Sequence, residues 1–316
     1  MTEVAVVGAG LMGHALALVF ALGGHQVRLT DTNAETLARA PGLMATALAT
    51  LAEAGEVDAS WDRQRLSSAV RCEPSLEKTV RGAAVVVEAV LERPDVKCAL
   101  YEQLESLMEP NAILASNTRN LDIFPLVPKG LRKRAIIAHW YTPPYLCDLV
   151  DLCPGPETDP AAIETVRDMV AAMGKAPVVF KQMVQGYVAN RLQAAMGLEV
   201  QRMLDEGLVT PKDIDDSVIH GIALRIPILG IMAKADFTGL SLMQQGMKNR
   251  SCTPPVPRER SETLDRLIEQ GRTGVMSGKG YFDWGDRTPE ELFRERDRKL
   301  LALKQALRKI GPMQGT

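Results

Sequence analysis

A chain of 316 residues, 46% of them apolar, is long enough to build more than one hydrophobic core. Its formal net charge of −2, with lysines and arginines scattered, offers no basic surface for a phosphate backbone, so nucleic acid is not an expected partner. The five cysteines (Cys72, Cys98, Cys147, Cys153 and Cys252) form no C-x-x-C pair and have no histidine at ligand spacing, which argues against a structural metal and for a reducing, cytoplasmic setting.

The N-terminus runs straight into MTEVAVVGAGLMG, with no basic segment ahead of an apolar core. No later stretch approaches the ~20 apolar residues a bilayer requires, so no membrane role is expected. EVAVVG is a β-branched strand that leads through GAGLMG into an Ala/Leu-rich helix. The next strand, HQVRLTD, ends in Asp31, 23 residues after Gly8. In that order Gly8 permits the tight turn, Gly10 lets backbone approach a pyrophosphate, and Gly13 lets helix and strand pack closely. Leu11 and Met12 complete the loop, whose helix start offers free N–H groups to an anion. Asp31 is placed to accept hydrogen bonds from ribose hydroxyls and would repel a 2′-phosphate, which favours NAD over NADP. The plainer alternative is a tight strand-to-helix turn with Asp31 capping the next helix.

AAVVVEAV, AILAS, RAIIAH, LVDLC and APVVF continue the strand pattern, separated by helical stretches, as in a mostly parallel sheet covered on both faces. Asp159, Pro160 and Gly174 punctuate a helix expected over about 160–173. From Gly186 onward strand-like runs disappear. The expected organisation is α/β, with a Rossmann-like doubly wound sheet domain over 1–183 followed by an all-α domain over 184–316. In the second part, Leu192, Met196, Val200, Met203 and Leu204 share one helix face before Gly207, and Thr210, Pro211 and Asp213 open another helix. Residues 249–261 carry three prolines and mixed charge, as an exposed loop does. Thr288 and Glu291 have capping-box spacing at the start of a last helix reaching about Ile310, and its face of Leu292, Leu300, Leu303 and Leu307 points to a homodimer.

His139 follows the strand RAIIA at the carboxyl end, where open parallel sheets expose their ligand crevice. If the chain doubles back through TPPYLC, Asp151 on the next strand reaches the imidazole. A carboxylate there fixes the ring tautomer and stabilises the imidazolium formed when His139 takes a proton. A packed histidine at a strand end is the alternative.

GAGLMG, EAVLERPDVK, SNT, the stretch from His139 to Asp151, GYVANRLQ and GKGYFDW stand in the order seen in the 3-hydroxyacyl-CoA dehydrogenase family, which the chain resembles over nearly its whole length. PPYLCDLVDLCPGPET followed by NRLQ looks most like the branch that contains lambda-crystallin, which is similar to L-gulonate 3-dehydrogenase. The resemblance implies a nucleotide domain followed by a helical, dimer-forming one, with His139 on the catalytic base, Asp151 on its orienting acid (usually glutamate) and Asn190 on a conformational or substrate-contacting asparagine. It implies that Ser116 and Asn117 lie beside the reacting carbon and nicotinamide, and that Glu92 and Lys97 contact the cofactor. Asn190 can instead brace a helix, and Glu92 with Lys97 can be a solvated pair. The implied reaction is NAD-dependent oxidation of a β-hydroxyl to a ketone.

Three departures matter. Arg119 stands where acyl-CoA enzymes of the family carry a small hydroxyl residue, and it either holds a substrate carboxylate through paired hydrogen bonds or turns to solvent or Asp122. Thr142, also a candidate substrate contact, replaces the asparagine of an HFFNP-like segment, and Asp151 is one methylene shorter than glutamate. Residues 41–56 contain no Lys or Arg to meet the phosphates of CoA, which favours a small hydroxy acid, gulonate- or hydroxybutyrate-like, over a CoA thioester. The alternatives are a 3-hydroxybutyryl-CoA dehydrogenase, a catalytically silent NAD-binding protein, and a β-hydroxyacid dehydrogenase with a catalytic lysine, against which neither Lys175 nor Lys181 sits on a helical face of the required kind whereas His139 has a partner.

Overall fold

The computed structural model describes residues 2–249 and 255–313. Strands β1 (Glu3–Val7), β2 (Gln26–Thr30), β3 (Val70–Cys72), β4 (Val85–Glu88), β5 (Ile113–Ser116), β6 (Ala135–Trp140), β7 (Leu149–Pro154) and β8 (Ala176–Val179) form one sheet in the order β3-β2-β1-β4-β5-β6-β7-β8. All but β3 correspond to the runs recognised in the sequence. β3 has three residues and carries Arg71 at its centre, so it has no apolar run to betray it. Strands β4, β5 and β6 are buried at every position, which is why they read as continuous Val/Ile/Leu/Ala rather than as an alternation.

Strands β1 to β6 pair in parallel, but β7 runs antiparallel to β6. The connection spans only residues 141–148, and a parallel return needs about a dozen residues or more, so the chain can only turn back. The sheet is flanked by α1 (Gly13–Leu22), α2 (Ala34–Glu53), α3 (Arg63–Ala69), α4 (Leu76–Val80), α5 (Pro94–Leu107) and α6 (Pro160–Ala172). Leu100, Tyr101 and Leu104 of α5 and Val80 of α4 share a core cluster with Val86, Leu114 and Ile137 of the sheet. The punctuation of α6 is as expected: the Asp159 carboxylate accepts from Ala161 N at 3.0 Å, Pro160 opens the helix, and Gly174 leaves it with φ 75°.

The chain divides into two compact units, Met1–Tyr187 and Val188–Thr316. The second is helical: α7 (Tyr187–Asp205, its first residue belonging to the first unit), α8 (Pro211–Ser217), a π-turn at Val218–Ile222, α9 (Ala223–Thr238), α10 (Leu240–Asn249), α11 (Glu262–Glu269) and α12 (Pro289–Ile310). Capping boxes start α8 at Thr210/Asp213 and α12 at Thr288/Glu291. Of the proline-rich stretch over 249–261, residues 250–254, with Cys252, lie outside the described residues, and residues 256–260 are exposed.

One expectation is corrected. The run Pro211–Thr238 is long and apolar enough, by length and composition, to cross a bilayer. The sequence hides it because three helical pieces join end to end across His220, Arg225 and Pro227. Gly230, at φ 67° and ψ −170°, breaks the run within α9, where Lys234 and Asp236 follow.

Candidate active site

Gly8 leaves β1 with φ 98°, a left-handed conformation that costs a glycine little. A Cβ there would stand 2.5 Å from the Ala89 carbonyl oxygen at the end of β4, and one on Gly13 would stand 1.6 Å from the Gly8 oxygen. Gly10 differs: a Cβ would meet nothing within 4 Å, and the residue lines a cavity of about 550 Å³ with Gly8, Asp31, Thr36, Leu91 and Leu100. Gly8 and Gly13 thus serve the turn, whereas Gly10 keeps backbone open to a ligand. Asp31 clamps the loop, accepting from Ala9 N at 2.7 Å and from Asn33 N at 2.8 Å, while lining that cavity. Leu11 is exposed at the loop tip, and the Met12 sulfur, just before α1, accepts the Thr142 hydroxyl at 3.0 Å. Open space over Gly10, the start of α1 and an acid at the end of β2 fit the pyrophosphate and ribose of a dinucleotide. NAD bound there supplies the hydride acceptor.

Glu88 ends β4 in register with Ser116 at the end of β5. Its buried carboxylate is fully engaged: Oε1 accepts from Val90 N (2.9 Å) and Lys97 Nζ (2.7 Å), and Oε2 accepts from Lys97 (2.8 Å), the Tyr101 hydroxyl (2.7 Å) and the Ser116 hydroxyl (2.5 Å). Burial first, and the adjacent Glu88 charge second, push the Tyr101 phenol well above its ordinary range, so it remains a donor. Lys97 is as buried as Glu88, with only its second carboxylate, Glu92 at 3.4 Å, partly exposed.

Glu92 in turn holds the loop after β5. One oxygen accepts the Thr118 hydroxyl (2.7 Å) and the backbone N–H of Arg119 (2.8 Å), Asn120 (3.0 Å) and Leu121 (3.3 Å). Burial opposes ionisation of Glu92, but these donors and Lys97 outweigh it and hold the carboxyl below its usual range. Asn117 braces the neighbouring strand, its Oδ1 accepting from Trp140 N at 2.9 Å. Arg119 is exposed, and its guanidinium lies close enough to act electrostatically on the Tyr141 phenol. Asp122 instead accepts from Phe124 N at 3.1 Å.

His139 and Asp151 are directly opposite residues of the β6–β7 ladder, both buried, with Nδ1 to Oδ2 at 3.4 Å. The Tyr187 ring stacks on the imidazole, centroids 4.5 Å apart and planes 17° apart, and Tyr141 meets it edge-on at 4.6 Å. Tyr187 is held at φ 48°, and its hydroxyl donates to the Thr118 carbonyl at 2.8 Å, which ties it to the Glu92-capped loop. The turn from β6 to β7 is secured by Lys175, whose ammonium donates to Pro144 O (2.7 Å), Cys147 O (3.0 Å) and Asp148 (3.1 Å). Asn190 lies in the first turn of α7, in the second unit. An imidazole with Nδ1 turned to an acid keeps Nε2 as its basic nitrogen, which suits proton transfer.

Glu88, Tyr101, Tyr141 and Tyr187 were not singled out in the sequence. Glu88 had a signal, being the one charge inside VVVEAV; Tyr141, the first residue after β6, had only its place two residues from His139. Tyr187 had none beyond following Gly186. Among the described residues, no group of three His, Cys, Asp or Glu is placed to hold a metal ion.

The family model for the 3-hydroxyacyl-CoA dehydrogenase NAD-binding domain matches residues 3–183, and that for the 3-hydroxyacyl-CoA dehydrogenase C-terminal domain matches residues 186–284. The 5-formyl-3-hydroxy-2-methylpyridine 4-carboxylate 5-dehydrogenase of Mesorhizobium japonicum is 29% identical over 313 residues, covering 96% of this chain and 98% of that protein. The human lambda-crystallin homolog is 32% identical over 228 residues, 72% of each chain. A crystal structure of a 5-formyl-3-hydroxy-2-methylpyridine 4-carboxylic acid 5-dehydrogenase, described as an NAD+-dependent dismutase, superposes with a TM-score of 0.86 at 27% identity, covering 99% of this chain and all of that one. Because both family models match, in order and across both units, the chain belongs to the 3-hydroxyacyl-CoA dehydrogenase family and is an NAD-dependent dehydrogenase.

Proposed function

We propose that this dehydrogenase oxidises the β-hydroxyl of a small hydroxy acid to a ketone, with His139 accepting the hydroxyl proton and Asp151 holding and stabilising the imidazolium. The observation that carries this reading is the buried His139–Asp151 pair at the carboxyl end of β6, 3.4 Å apart. Asn190 is assigned a substrate-side role from the family pattern. Ser116, whose hydroxyl is given to Glu88, and Asn117, bonded to Trp140 N, support the floor of the reacting region. Lys97 and Glu92 act on the cofactor side by fixing the end of β4 and the loop after β5.

Arg119 and Thr142 are the side chains we place against the substrate. An exposed guanidinium within electrostatic range of Tyr141 suits a carboxylate, and the Mesorhizobium relative is named for a carboxylate-bearing molecule. Residues 41–56, most of α2, add no cation for CoA phosphates.

The test is NADH formation with free β-hydroxy acids beside 3-hydroxyacyl-CoA esters. Free acids are expected to be the better substrates, and Arg119→Met to raise their KM by about 10- to 100-fold with little change in kcat, since it removes binding common to ground and transition states. Preference for 3-hydroxybutyryl-CoA with no effect of Arg119→Met would favour the thioester reading. NAD binding without turnover of any compound in the panel would favour a silent binding protein.

We also infer a homodimer. Among the described residues of the second unit, only Ala235, Ser261, Thr263, Gly280, Leu292, Asp297 and Leu301 are buried, while Leu224, Met232 and Phe237 of α9 are each more than 60% exposed. So much apolar surface favours burial against a second copy. Sedimentation at twice the chain mass is expected, and a monomer at micromolar concentration would sink the inference. The described cysteines are all free thiols, in keeping with a reducing, cytoplasmic setting.

A further inference from the structure

Two groups address the same oxygen of Asp151. The His139 Nδ1 stands 3.4 Å from Oδ2, whereas the Tyr141 hydroxyl donates to that oxygen at 2.7 Å. The phenol is the nearer partner, and the imidazole sits beyond good hydrogen-bond range. The His139 contact follows from the strands, since 139 pairs across the ladder with 151; Tyr141, the first residue past β6, reaches the same oxygen from the start of the turn.

Two departures from the HFFNP-like segment and its distant glutamate coincide here. A tyrosine stands where that segment has its second phenylalanine, and the acid is one methylene short. The shorter acid falls back from the imidazole, and the added hydroxyl supplies the bond it would otherwise lack. A buried carboxylate without such a donor is costly.

We propose that Tyr141 is a positioning residue for the reaction: its hydroxyl fixes Asp151 and takes up part of the carboxylate charge, and so weakens the pull of that acid on a proton at His139. The inference rests on reading His139 and Asp151 as the proton-accepting pair. Burial, with Asp151 second, raises the Tyr141 phenol well above its ordinary range, so the phenol stays protonated and donates across the working pH range. The other titratable or charged groups around the cluster are Cys153 on β7, Cys147 in the turn, Tyr187 at the end of the unit, and Arg119 and Glu92 beside the loop after β5. Cys153 is pushed up to about 12, by burial first and the Asp151 charge second, so it adds no charge beside the pair.

The test reads the imidazole itself and needs no substrate. The chain has four histidines, His14, His25, His139 and His220, so ring resonances of the full-length, NAD-loaded protein can be assigned by a His139→Gln variant and followed with pH. Tyr141→Phe is expected to raise the His139 midpoint by about 0.5 to 1 in pH, because the carboxylate recovers charge it had shared. In an Asp151→Asn background the same substitution is expected to do nothing, which a merely structural role would not produce. An unchanged midpoint, or an equal rise in the Asp151→Asn background, overturns the proposal. Should Tyr141→Phe fail to fold, unmutated protein labelled at the tyrosine ζ-carbon serves instead: the Tyr141 signal must step at the His139 midpoint, and a signal that ignores it overturns the proposal. If His139→Ala keeps its turnover while the midpoint still moves in Tyr141→Phe, the base assignment fails and the hold of Tyr141 on Asp151 stands.

Discussion

Replacing His139 with alanine is expected to lower kcat for NAD-linked oxidation by ~10²- to 10⁴-fold, the usual contribution of a positioned general base, while leaving NAD affinity unchanged. The separation of effects follows from the fold: the glycine loop and Asp31 stand at the ends of β1 and β2, whereas His139 ends β6. If His139 is the base, as proposed, oxidation requires the neutral ring, so kcat/KM in that direction should rise with pH as the ring loses its proton. Ketone reduction should fall over the same interval, because it needs the imidazolium as acid. Stopped assays in both directions, with NAD binding followed by fluorescence quenching, measure all of this. A variant that retains full turnover would remove the base from the mechanism.

The second large effect concerns stability. Lys97→Met is expected to destabilise the protein by roughly 3–5 kcal/mol, because it leaves the fully buried Glu88 carboxylate without its counter-charge. Adding Glu88→Gln should recover much of the loss, since a neutral amide is cheaper to bury than an unpaired anion. Thermal melts of the single and double variants at neutral pH would show it. A lysine variant as stable as the parent at neutral pH would mean that Val90, Tyr101 and Ser116 alone can hold the acid.

Most of the sheet could be read in the sequence because its strands are rich in Val, Ile, Leu and Ala, and the central ones, β4, β5 and β6, are buried at every position. The direction of β7 could be read as well, since TPPYLC is too short for a crossover. β3 escaped because its strand character comes from pairing with β2 rather than from its own composition. The histidine and its acid were legible as a pair because a charge in an apolar strand needs a partner. The tyrosines were not, because an aromatic residue beside a strand usually means packing, and only coordinates show that Tyr141 and Tyr187 spend their hydroxyls on Asp151 and on Thr118 O. Lys97 and Glu92 read as cofactor contacts or, by spacing, as a solvated pair, whereas Lys97 points inward to Glu88, a residue nine positions earlier that no helical period connects to it.

The antiparallel ladder between β6 and β7 has an evolutionary corollary. Residues 139 and 151 are located by main-chain pairing on either side of them, so the turn over 142–148 is free to drift in sequence without disturbing proton chemistry. Substitutions in that turn are therefore expected to change what can bind beside the pair without moving residue 139 relative to 151. A single deletion within 135–138 would have the opposite outcome: the ladder would slip by one position and the imidazole would emerge on the far side of the sheet, facing away from any substrate.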